Sequence, residues 1–106
     1  MNAQRVPPSQ VVMDVDSHVL SLQGQVSFTN AAGLAHEGCR LLQRMAPGTT
    51  LSIDARGVQH SSSATLTVVL EWWRALKTHQ LALKAILLPE QMQPLVALSG
   101  LTRILP

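Results

Sequence analysis

Three consecutive serines, Ser61 to Ser63, follow His60 and are the residues whose types and spacing most suggest chemistry. A serine beside a histidine can form a nucleophile and its general base, but adjacent residues on an extended segment point in opposite directions. No G-x-S-x-G elbow surrounds the serines, and no local third group would orient the histidine. The sequence therefore argues against nucleophilic catalysis, and we expect a protein that is not an enzyme.

The other candidate ligands are dispersed along the chain. The histidines at positions 18, 36, 60 and 79 form no close H-x-x-x-H pair, and Cys39 is the only cysteine. This pattern supports neither a zinc site nor an intrachain disulfide, so we interpret Cys39 as a small thiol in the core or on a helix face. Glycine-rich phosphate-binding patterns are also missing from the sequence. We therefore expect no metal and no cofactor.

The composition predicts one domain with a partly covered surface. The chain has 106 residues, which is enough for a single core. Hydrophobic residues make up 46% of it and charged residues only 13%, about half the usual share of roughly 25%. Because so few charges are available for the surface, we expect another protein to cover part of it.

The charge pattern and the termini restrict the class of partner. The net charge of +2 comes from scattered basic residues, which is weak support for nucleic-acid binding, and we expect no nucleic-acid partner.

Residues 1–10 contain no apolar stretch of the kind a secretory signal needs, and no segment approaches the roughly 20 apolar residues of a membrane span. We expect a cytoplasmic protein that does not insert into a membrane.

Hydrophobic periodicity and turn residues predict alternating strands and helices. The predicted strands are Val11–Asp16, His18–Gln25, Thr49–Asp54 and Leu81–Leu88. The predicted helices are one that Thr29 or Asn30 caps and that continues to Met45, one from Ala64 to His79 and one from Glu90 to Ser99. Residues 55–62 are predicted to be a loop. This order indicates an α/β fold with a mixed four-stranded sheet and about three helices. We expect residues 1–9 to be a flexible segment and residues 10–106 to form the domain.

The helix after the serines has an unusually wide apolar surface. Leu66, Val69, Leu70, Trp73 and Leu76 form an ordinary core stripe, and Val68, Trp72 and Ala75 extend it on one flank. Two interpretations of this flank remain open. A neighbouring helix or the N-terminal segment covers it, or another protein does.

The serines likewise have two interpretations. A single serine suffices to cap the helix, and a cap stabilises a helix by about 1 kcal/mol. Three serines at the positive end of a helix also make a surface suited to a carboxylate or phosphate, or to phosphorylation.

The region around the serines resembles the signature of STAS domains. It consists of the run Ile53 to Val58, an interval of eight residues from Asp54 to Ser62, and the helix residues Ser63 to Leu66 and Val68 to Trp72. The MlaB branch of that family is the nearest match, and the second strand (Leu20-x-Leu22-x-Gly24) and the C-terminal segment (Ser99 to Pro106) fit it more loosely. The resemblance implies a STAS-type, anti-sigma-factor-antagonist-like fold.

The resemblance also implies a function. MlaB-like proteins are non-catalytic cytoplasmic subunits of the Mla ABC transporter, which moves phospholipids and maintains outer-membrane lipid asymmetry in Gram-negative bacteria. Such a subunit binds the ATPase subunit and, through it, associates with a permease and a substrate-binding subunit at the inner membrane. The partner-binding residues expected here are Ser61, Ser62, Ser63, Thr65, Val68 and Trp72. Because such a subunit normally lies in a complex, we expect the isolated chain to be prone to self-association.

Several positions depart from the family pattern. The aspartate that usually precedes the serine is Ser62 here, Thr65 replaces a glycine, and the phosphorylated serine of anti-sigma-factor antagonists falls at Ala64. The alternative function is a signalling STAS protein that is regulated by serine phosphorylation. Ala64 counts against it, although Ser62 or Ser63 offers another acceptor.

Overall fold

The computed structural model describes residues 9–59 and 62–92. Their elements are β1 (Gln10–Asp14), β2 (Val19–Gln25), α1 (Ala31–Leu42), β3 (Thr50–Gln59), α2 (Ser63–Thr78), β4 (Ala82–Leu87) and a 3-10 turn (Glu90–Met92). The strands form one sheet in chain order, with β1 antiparallel to β2 and the β2–β3 and β3–β4 pairs parallel. The predicted mixed four-stranded α/β fold is confirmed, with two α-helices in the described residues. The predicted third helix lies mostly outside them, and its first residues form the 3-10 turn.

The β1–β2 connection is a tight hairpin that starts at an aspartate. The Asp14 carboxylate accepts hydrogen bonds from the backbone N–H groups of Asp16 and Ser17, at 3.0 and 3.2 Å. These bonds lower the pKa of Asp14, because they favour its charged form. β1 ends at Asp14, two residues earlier than predicted.

Asn30 precedes α1 but does not cap it with its side chain. Its Oδ1 atom instead accepts the Ser27 N–H at 2.8 Å, and its Nδ2 atom donates to the Gln25 carbonyl at 2.9 Å. The side chain therefore fixes the path from the end of β2 into the helix. The helix ends at Leu42 rather than at Met45.

The central strand β3 is longer than predicted. It runs to Gln59, so the predicted loop over residues 55–62 is wrong for residues 55–59. The reason is a register shift, since Asp54 pairs with Ser21 of β2 whereas Gly57 pairs with Gln23. One extra residue on β3 forms a bulge at this point and breaks the alternation of buried and exposed side chains.

Both helices cover one face of the sheet. They pack against each other, α1 also contacts β1, and α2 contacts β3 and β4. Alternate strand residues, such as Leu20, Leu22, Leu51 and Ile53, are buried beneath them in a single cluster. The bulge returns Val58 to that same buried face.

Candidate partner-binding surface on helix α2

The start of α2 is defined by Ser62, which is the N-cap residue. Its backbone is extended (φ −148°), and its Oγ atom accepts the Ala64 N–H at 3.2 Å. The Ser62 carbonyl accepts the Thr65 N–H at 3.0 Å. Ser62 therefore satisfies backbone donors that a helix end leaves without partners. His60 and Ser61 lie outside the described residues.

Ser63 is the first residue of α2, and its side chain is exposed. The hydroxyl of Thr67, which is also exposed, donates to the Ser63 carbonyl at 3.0 Å. Ser63 and Thr67 lie one turn apart, so they present two small polar side chains on the surface of the first turns.

Val68 and Trp72 lie in the core. Both side chains are fully buried, and the Trp72 indole N–H donates to the Ala35 carbonyl of α1 at 3.1 Å. Of the two interpretations left open by the sequence, the neighbouring helix is therefore the correct one. α1 and the sheet cover Val68 and Trp72 within the chain, so neither side chain is exposed for the partner contact expected of it.

Gly38 explains how α1 approaches Trp72 so closely. A Cβ atom at this position would lie 2.1 Å from the Trp72 Nε1 atom and 2.2 Å from Cε2, which is far inside van der Waals contact. A glycine in a helix interior costs up to about 1 kcal/mol relative to alanine, and the close approach of Trp72 accounts for the glycine at position 38. The sequence does not single out this contact, because α1 also contains Gly33, which has open space beside it, and α2 also contains Trp73.

Thr65 is also buried rather than available to a partner. It is fully covered, and within the described part of the chain its Oγ1 atom has no hydrogen-bond partner. Thr65 lies on the same side of α2 as Val68, Val69 and Trp72, so it has no exposed surface for the partner contact expected of it. A buried hydroxyl without a partner is destabilising.

The surface of α2 that remains accessible lies on the other side of the helix. Leu66, Leu70 and Trp73 were predicted as core residues, but each is only half-buried. The Lys77 ammonium lies 4.5 Å from the Trp73 ring centroid, and it shields part of that ring. We call Ser63, Leu66, Thr67 and Leu70 the outer face of α2. It combines small polar side chains with partly exposed leucines.

Charges are few around this surface and are mostly paired. Arg74 and Glu71 of α2 form an ion pair at 2.8 Å. On β3, Arg56 binds the Asp54 carboxylate through Nε and Nη2, at 3.1 and 3.0 Å, and this pairing lowers the pKa of Asp54. Both pairs are largely exposed, so their contribution to stability is small.

An apolar groove of about 540 Å³ runs between α1 and α2, beside the outer face. Its lining residues are Phe28, Ala31, Ala32, Ala35, His36, Cys39, Thr67 and Glu71. Burial and the nearby Glu71 carboxylate raise the pKa of the Cys39 thiol, so it stays protonated and weakly reactive. Within residues 9–59 and 62–92, no group of three histidine, cysteine or acidic side chains is arranged to hold a metal ion.

The fold and this surface define a class of protein: a small mixed α/β domain whose central parallel strand leads into a serine-capped helix with one exposed face. A family model described as the MlaB STAS domain matches residues 9–106. The chain belongs to this family. No curated protein matches the chain. None of the helices in the described residues is long and apolar enough to cross a membrane.

Proposed function

We propose that this chain is a non-catalytic, cytoplasmic subunit of a phospholipid-transporting ABC complex of the Mla type. In this role it binds the ATPase subunit and supports its activity, and through that subunit it associates with the permease and the substrate-binding subunit at the inner membrane. The complex serves outer-membrane lipid asymmetry. The family match over residues 9–106 carries this proposal.

The start and the outer face of α2 are the surface that we propose for the ATPase. Ser63 and Thr67 are exposed, and Leu66 and Leu70 offer partly accessible apolar area next to them. The first turn is also the positive end of the helix dipole, which favours an acidic or carbonyl group of the partner. Ser61 and Ser62 belong to this proposed surface by their positions in the chain.

The buried residues of α2 position its outer face. Thr65, Val68 and Trp72 fix the orientation of α2 on the sheet and on α1, and they make no direct contact with a partner in this proposal. Replacing any of them is expected to affect binding through the stability of the domain. Binding variants must therefore be chosen on the outer face.

Co-purification tests the function. The tagged chain, expressed in its native host, is expected to recover an ATP-binding-cassette ATPase and a permease. Recovery of a histidine-kinase-like anti-sigma factor would support the signalling alternative instead. Ala64 has no hydroxyl and the Ser62 oxygen caps the helix, so the exposed Ser63 is the acceptor in the described residues that this alternative would use.

A matched pair of variants tests the surface. Thr67→Arg places a long charged side chain in the middle of the outer face, and Thr78→Arg places the same side chain at the exposed last residue of α2. We expect Thr67→Arg to lose the ATPase and Thr78→Arg to retain it, with both proteins folded by circular dichroism. Equal retention by the two variants would place the partner elsewhere on the domain.

A further inference from the structure

We draw no further inference here: the strongest candidate, the apolar groove between α1 and α2 that Phe28, Ala35 and Cys39 line, carries nothing because the described residues do not show what covers it.

Discussion

Both faces of α2 carry large apolar side chains, but the environments of those side chains differ greatly. On the inner face, Val68 and Trp72 are fully buried against α1 and the sheet. On the outer face, Leu66 and Leu70 keep part of their surface in water. Apolar residue type therefore does not distinguish the core of this helix from the surface available to a partner. The distinction depends on which neighbouring element approaches closely, and here the neighbour is α1 at Gly38.

The largest expected difference in stability between the two faces concerns the adjacent residues Trp72 and Trp73. Trp72→Ala removes a fully buried ring and its hydrogen bond to Ala35, so we expect the free energy of unfolding to fall by about 3 to 5 kcal/mol. That is a large part of a total stability of roughly 5 to 15 kcal/mol. Trp73→Ala is the matched control, and its half-buried ring predicts a clearly smaller loss. Urea unfolding followed by far-UV circular dichroism compares them, and equal losses would contradict the assignment of the two faces.

Alanine substitutions of the two glycines in α1 test whether the helices make a close contact at Trp72. Gly38→Ala places a methyl group against the indole ring, and overpacking of this kind costs about 1 to 3 kcal/mol. Gly33→Ala adds the same methyl group where, within the described residues, no atom lies within 4 Å apart from its chain neighbours and the backbone of α1. Because alanine is the better helix former, we expect this control to gain about 0.5 to 1 kcal/mol. Opposite signs in thermal or urea unfolding would support the close contact, whereas a gain in both variants would refute it.

The sequence predicted the elements better than it predicted their exposed sides. The strands β1, β2 and β4 and both helices follow from hydrophobic period and turn residues, and their ends differ from the predicted ones by a few residues. The serine cap was correct for α2, whereas the Asn30 side chain does not cap α1. The second half of β3 was missed because its bulge breaks the alternation on which strand prediction depends. That irregularity is a property of the pairing between two strands, which residue types alone do not specify.

The candidate surface was harder to predict than the fold. The helical period gives the angles between side chains, but it does not fix the rotation of α2 relative to the sheet. With the rotation unknown, Leu66, Leu70 and Trp73 were predicted to face the core, and Val68 and Trp72 were predicted to lie beside a partner. In the structure Leu66 and Leu70 are half-buried, Trp73 is half-buried and packs against the core, and Val68 and Trp72 are fully buried. The contact between Gly38 and Trp72 fixes the rotation in the structure, but residue types do not identify it, because Gly33 and Trp73 are equally available in the sequence.

Two threonines on opposite sides of α2 give a third comparison. The Thr65 hydroxyl is buried without a partner in the described residues, whereas the Thr67 hydroxyl is exposed and donates to the Ser63 carbonyl. Thr65→Val should therefore raise the free energy of unfolding by about 1 kcal/mol, because it removes an unsatisfied polar group at nearly constant shape. For a domain of this size we expect a melting temperature higher by about 4 to 8 °C. Thr67→Val should change it little, and a loss of stability in Thr65→Val would mean that its hydroxyl has a partner.

The last comparison is between Ser62 and Ser63 at the start of α2, where the expected changes in stability are small. Ser62→Ala removes the oxygen that accepts the Ala64 N–H, so we expect the free energy of unfolding to fall by about 1 kcal/mol. Ser63→Ala leaves the cap intact and removes only an exposed hydroxyl, so stability should be nearly unchanged while recovery of the ATPase decreases. Urea unfolding and quantitative co-purification of both variants measure the two effects independently. If Ser62→Ala lowers recovery at full folding and Ser63→Ala does not, then the cap residue itself contacts the partner. That outcome would move the proposed surface from the outer face of α2 toward the connection from β3.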